Sequence, residues 1–169
     1  MDALNPQEEP IVTLGPVSHI GIAVKDAAKT AAFFTRVFGL KFDIADFNME
    51  EIADYYLVDG KPNKPSFKAA LAYDGDFFIE IVEVTSDHDT VHTRHIKNRG
   101  EGLQHLCFKA TNTKAILEKL KKEGIVPTID YQFVTNQDGK KVRIHEVYLN
   151  TEEFVGGTTI QLLEYIPEE

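Results

Sequence analysis

His19-Ile20-Gly21-Ile22-Ala23-Val24, followed by a helix-like stretch and Gly39-Leu40, recurs as His105-Leu106-Cys107-Phe108-Lys109-Ala110, a second helix-like stretch, and Gly124-Ile125. Each copy closes on a similar strand, Ile79-Glu80-Ile81-Val82-Glu83 in the first and Ile160-Gln161-Leu162-Leu163-Glu164 in the second. The offset between the copies is nearly constant from the histidines to the Glu80/Gln161 pair, which marks one unit duplicated with a few residues of drift. What repeats is a His near the start of each unit and an oxygen-bearing side chain near its end.

A chain of 169 residues with 43% hydrophobic content fills one well-packed domain and is too short for two ordinary independent ones, so the copies should share a core. Its formal net charge of −9 argues against nucleic acid or an anionic membrane surface as a partner. No apolar run approaches the ~18–20 residues of a membrane span, and residues 1–9 lack the charged and apolar regions of a signal peptide. The lone Cys107 excludes an internal disulfide and fits a reducing compartment, so a cytoplasmic protein is expected.

Residues 1–16 are polar and proline-bearing, with only Ile11, Val12 and Leu14 able to dock, and read as an arm ahead of the first copy. The first copy spans 17–85, the second 103–166, and 86–102 joins them. Residues 17–24 alternate as a strand; Asp26 then caps a helix with Ala27, Ala31, Phe34 and Phe38 on one face, and Gly39 stops it. Residues 67–73 and 77–84 form a hairpin around Asp74-Gly75-Asp76. The second copy follows the same order: a helix capped at 111–113 that buries Ile116, Leu117 and Leu120, strands at 128–134 and 142–149 around the turn 136–139, and a strand at 158–165. The prediction is an α+β fold of two tandem βαβββ units within one domain, 17–166.

Two such units, with a His on the first strand and a carboxylate or amide on the last, resemble the vicinal oxygen chelate superfamily, the fold of glyoxalases, epimerases and extradiol dioxygenases. The resemblance to its methylmalonyl-CoA epimerase branch rests on three stretches. These are His19-Ile20-Gly21-Ile22-Ala23-Val24-Lys25-Asp26, Arg99-Gly100-Glu101-Gly102-Leu103-Gln104-His105-Leu106 and Gly156-Gly157-Thr158-Thr159-Ile160-Gln161-Leu162. It implies a curled mixed sheet around a metal-binding cleft, with His19, Glu80, His105 and Gln161 as ligands. Two imidazoles and two oxygens leave positions open in a six-coordinate shell and suit Co, Ni, Mn or Zn. The implied activity is a metal-dependent isomerase or epimerase moving a proton at a carbon next to a carbonyl. Its substrate would be a small carbonyl compound or an acyl-CoA such as methylmalonyl-CoA, and a homodimer is compatible with the resemblance. The fold also carries glyoxalase-like lyases and non-catalytic drug-binding proteins; the latter need no metal held by two histidines.

The epimerase pattern has Gln in the first copy and Glu in the second, whereas this chain has Glu80 and then Gln161. An amide does not titrate, so any proton transfer by the second-copy residue cannot pass to Gln161, and Glu80 becomes a catalytic candidate. Gln161 also counts against an iron dioxygenase, whose facial triad needs a carboxylate at that position.

Further candidates come from alternation. On 142–149, period 2 groups His145 with Arg143, and Glu146 with Val142, Ile144 and Tyr148, which makes Glu146 the better buried acid. Glu50 and Glu51 lie in the segment where the epimerase branch places a catalytic Glu. Glu83 and Glu164, three residues beyond Glu80 and Gln161, should face solvent on the opposite side of the sheet. His88, His92 and His95 are spaced to share a helix side, though the polar surroundings suit a solvated connecting helix. Residues 43–66 show no regular pattern but hold Phe47, Met49, Ile52, Tyr55, Tyr56 and Leu57. They are expected to pack over the pocket, with a short helix over 49–57, and to favour an apolar or aromatic-bearing substrate. The alternative is a cover on the outside of the sheet or a dimer contact.

Overall fold

The computed structural model describes residues 9–137 and 139–168. The alternating stretch forms β1 (Val17–Ala23), and the Asp26 carboxylate accepts from Lys29 N to open α1 (Ala27–Phe38). Gly39 ends α1 at φ 74°, a left-handed conformation that suits glycine. The chain continues through β2 (Asp43–Asn48), a single turn α2 (Met49–Ile52), β3 (Ala53–Val58), the two-residue β4 (Lys61–Pro62) and the hairpin β5 (Ser66–Asp74) and β6 (Phe77–Val84). Helix α3 (Val91–Arg99) then leads to β7 (Gly102–Lys109), α4 (Thr113–Leu120) with a 3-10 turn (Lys121–Glu123), β8 (Pro127–Gln137), β9 (Lys140–Leu149) and β10 (Thr159–Pro167).

All ten strands form one sheet in the order β2-β5-β6-β1-β7-β10-β9-β8-β3-β4. The duplication is visible in it: β2-β5-β6-β1 from the first copy mirrors β8-β9-β10-β7 from the second, and β1 meets β7 antiparallel at the seam. Within each copy the first and last strands are parallel neighbours, with Gly21 opposite Glu80 and Cys107 opposite Gln161. That pairing brings the His strand beside the Glu or Gln strand in both copies.

The 43–66 segment departs from the expected helix over 49–57. Only Met49–Ile52 is helical, capped by the Asn48 side chain, and Ala53–Val58 is a strand paired with β8 of the other copy, Tyr56 opposite Tyr131 and Val58 opposite Ile129. The local signal for this strand is the Asp59-Gly60 turn into the two-residue β4, whereas its longer pairing is with a partner distant in sequence. The consequence is topological, because β2 and β3 lie toward opposite ends of the sheet yet are joined by the 4 residues of α2. Four helical residues rise only ~6 Å, so the sheet must curl until its ends nearly meet.

Inside the curl, Met49, Tyr56, Val58, Phe67, Ile129 and Tyr148 belong to one buried cluster. On the outside, α1 covers Ala70 and Ile81, and α4 covers Val147, Leu149 and Leu162. Phe38, expected in the buried stripe of α1, is 63% exposed and leans on Phe33 and Phe34. Val12 and Leu14 pack beside the α4 cluster while Ile11 stays exposed; residues 1–8 of the arm and Asp138 of the predicted turn lie outside the described residues.

Glu83 and Glu164 do face away from the interior of the curl, but solvent is not their partner. Glu83 accepts from Ala27 N (2.9 Å), and Glu164 accepts from Asn112 N (2.5 Å) and Thr113 N (2.9 Å). Each carboxylate thus satisfies otherwise unpaired N–H groups where its own copy's helix begins, an arrangement that stabilises by ~0.5–2 kcal/mol. Periodicity gives the face of a residue, not what packs upon it.

Candidate metal centre

His19 on β1 and His105 on β7 project into the curl with their Nε2 atoms 3.2 Å apart. Glu80, from β6, places Oε2 3.2 Å from His105 Nε2 and 3.7 Å from His19 Nε2. One ligand atom from each of the three lies within 4.8 Å of the others. Burial lowers the pKa of His19 to about 4, although the Glu80 carboxylate pulls the other way, and burial lowers His105 to about 3. Both rings are therefore neutral near pH 7, and their contacts with Glu80 are not ion pairs.

A buried chain of hydrogen bonds sets the tautomer of His105. Thr159 Oγ1 donates to Glu152 Oε1 (3.2 Å), which accepts only, so Thr159 in turn accepts from Gln104 Nε2 (3.1 Å). Gln104 then turns Oε1 toward His105 Nδ1 (2.7 Å), which must donate. His105 is left with a lone pair on Nε2, directed at the Glu80 carboxylate and at His19. Gln161 is fully buried, its Nε2 donates to Glu146 Oε2, and its Oε1 has no hydrogen-bond partner. A free lone pair on His105 Nε2 beside the Glu80 carboxylate, with the buried Gln161 amide oxygen left unpaired among the described residues, is a donor set that fits a divalent metal.

Glu146 faces inward with Ile144 and Tyr148, as alternation predicted, while His145 faces outward and bonds Asp130 (3.0 Å). Burial raises the Glu146 carboxyl to about 7, and the nearby Glu80 carboxylate adds to the effect. Beside these groups is a cavity of about 230 Å³ onto which His19, Glu80 and Glu146 open. Phe47, Met49 and Tyr56 line it, so the 43–66 segment does reach the pocket, but Ile52 is 38% exposed and Tyr55 instead donates to Asp130.

Glu50 and Glu51 do not reach the cavity. Both are exposed: Glu50 pairs with Lys64 (2.7 Å), whose ammonium lowers its pKa, and Glu51 accepts from Asn48 Nδ2. They occupy the first turn of α2, whose buried side is taken by Met49. The three histidines of the connection do not act together either. His88 precedes α3 and meets Ser86, His95 is half-buried, and His92 turns inward, where it lines the cavity at 3% exposure. His92 and Gln104 are the site residues that the sequence did not reveal; the position of Gln104 beside His105 was the only signal for it.

A family model for the Glyoxalase/Bleomycin resistance protein/Dioxygenase superfamily matches residues 18–143. The chain belongs to this superfamily. No curated protein matches the chain. Among solved structures, methylmalonyl-CoA epimerase from Mycobacterium tuberculosis is similar over 96% of this chain and 95% of its own, with 17% identity and a TM-score of 0.60. A mutant 4-hydroxymandelate synthase from Streptomyces coelicolor is similar over 92% of this chain and 50% of its own, with 9% identity and a TM-score of 0.61. A hypothetical protein from Bacillus halodurans is 18% identical over 91% of this chain and 96% of its own, with a TM-score of 0.59. At these identities the likeness establishes the fold, on which superfamily members carry out several chemistries. Among the described residues, no helix is long and apolar enough to cross a membrane.

Proposed function

We propose that this protein is a metal-dependent isomerase or epimerase that moves a proton at a carbon next to a carbonyl. His19, Glu80, His105 and Gln161 hold the divalent cation, and Glu146 handles the proton. The observation that carries this reading is the contact between Glu146, whose carboxyl is held near pKa 7, and Gln161 of the donor set, at the wall of a cavity. A bound divalent metal supplies Lewis-acid polarisation of a carbonyl oxygen. A carboxyl with a pKa near the working pH can take a proton from the adjacent carbon and return it. Glu146 thereby assumes the titrating role that Gln161 cannot fill. Solved epimerases of similar fold include one in complex with methylmalonyl-CoA, which supports an acyl thioester as one substrate class beside small carbonyl compounds. The single, buried Cys107 supports a cytoplasmic setting.

The test is solvent-deuterium exchange followed by proton NMR, with metal-loaded protein and a panel of α-substituted carbonyl compounds and methylmalonyl-CoA. Exchange should require metal, and Glu146→Gln should lower its rate by at least ~100-fold while retaining the metal. Absence of exchange across the panel overturns the proposal.

A further inference from the structure

His92 belongs to the connecting helix, outside both repeats, yet it closes one wall of the cavity. Its ring meets Phe67 and Tyr148 edge to face at centroid distances of 5.6 and 5.3 Å, and it is 5.9 Å from the His105 ring. At 3% exposure, neither of its nitrogens has a hydrogen-bond partner among the described residues. A buried polar atom left without a partner is destabilising, and a Phe would fill the same space among aromatic neighbours without that cost. An imidazole there suits a ligand that brings its own hydrogen-bonding atom.

The remaining lining defines that ligand further. Among the described residues, the cavity wall holds two carboxylates, Glu80 and Glu146, and no Lys or Arg. Any anionic group of a ligand would have to be balanced at the cation site rather than by a side chain. Much of the wall is aromatic, with Phe47, Tyr56, Phe67, Phe78, Tyr131 and Phe133 among its members. At about 230 Å³ the space is smaller than the ~300–1,000 Å³ of common ligand pockets. That volume admits only the reacting end of a ligand, so any larger carrier would have to lie outside the cavity.

We infer, on the basis of the proton-transfer reading above, that the cavity takes a carbonyl group bearing a small aryl or branched apolar substituent and a second oxygen, and that His92 hydrogen-bonds that second oxygen. The carbonyl goes to the cation site, the apolar group packs among the rings, and His92 sets which oxygenated compounds are accepted. It is a specificity residue supplied by the linker, which explains why neither repeat contains its counterpart.

Calorimetric binding to the zinc-loaded full-length chain tests this without turnover. The probes are α-hydroxyacetophenone and acetophenone. The expected Kd for α-hydroxyacetophenone is at least tenfold below that for acetophenone. His92→Phe should raise it about tenfold at unchanged zinc content and leave acetophenone binding as it was, and His92→Gln should recover part of the loss. An unchanged Kd for α-hydroxyacetophenone in His92→Phe overturns the inference. Should that variant not fold, equal affinities of the wild type for acetophenone and α-hydroxyacetophenone overturn it instead. Loss of deuterium exchange across all substrates would sink the proton-transfer reading while leaving these affinities to stand or fall alone.

Discussion

Gly21 lies directly opposite His105 across the seam of the two copies, and a Cβ built on it would fall 1.8 Å from Cε1 of the imidazole. The ring occupies the space a side chain would take, so the first copy has glycine where the second has Cys107. Gly21→Ala should force the His105 ring away from His19 and Glu80 and lower metal affinity by at least ~10-fold. Competition with a chromophoric chelator measures this, and far-UV circular dichroism checks that the sheet persists. Wild-type affinity in the variant would mean that the ring does not need this position.

Gln104→Leu removes the acceptor for His105 Nδ1 while keeping similar bulk. Metal affinity should fall ~10- to 100-fold, the range for loss of a hydrogen bond behind a ligating histidine. Nitrogen-15 NMR of the metal-free protein supplies an independent reading: the wild type should show His105 protonated at Nδ1, and the variant a mixture of tautomers. A wild type protonated at Nε2 would refute the chain from Glu152.

The metal-free protein should lose stability in acid. His19, His92 and His105 fall from 6.5 in the unfolded chain to about 4, about 3 and about 3 when folded, chiefly through burial. Their stabilising contribution is complete above pH 6.5 and is lost as pH falls toward the folded values. Glu146 has the opposite sign: its folded carboxyl, raised from 4.5 to about 7, retains a proton in that window and gains stability on acidification. With three histidines against one carboxyl, the net slope between pH 6.5 and 4.5 is roughly 2–3 kcal/mol per pH unit. Urea melts in the presence of a chelator measure it, and a stability profile that stays flat over this range would show that the histidines do not enter the fold neutral.

Tyr56 is 5% exposed and stacks on Tyr131 at 4.9 Å within the cavity wall. Tyr56→Ala should cost about 3 kcal/mol or more and alter ligand affinity, with sedimentation behaviour unchanged. A shift in sedimentation instead would restore the dimer-contact alternative for this segment.

The duplication was legible because β1 and β7, like β6 and β10, repeat a spacing that parallel pairing then converts into proximity. Glu146 was legible because β9 alternates cleanly around it. His92 was not: only the last three residues of α3 are exposed, yet nothing in the polar sequence of this 9-residue helix marks the one ring that turns inward. The strand 53–58 was hidden because its partner is β8, far along the chain. The helix-capping roles of Glu83 and Glu164 were missed because a face-by-face reading of a strand ignores what packs on the outer face.

The single turn of α2 also bears on the order of events in folding. Strands β1, β6 and β7 can align the three candidate ligand side chains as soon as the first copy meets the start of the second, but β3 pairs only with the two-residue β4 until β8 exists. Loop closure over that separation is slow and entropically expensive. The roof of the cavity should therefore be the last part to form and the first to open, with amides of β3 exchanging hydrogen faster than those of β1. If the centre binds its cation as proposed, a nascent chain would capture the ion before it acquires a pocket, and loading and selectivity would be separated in time.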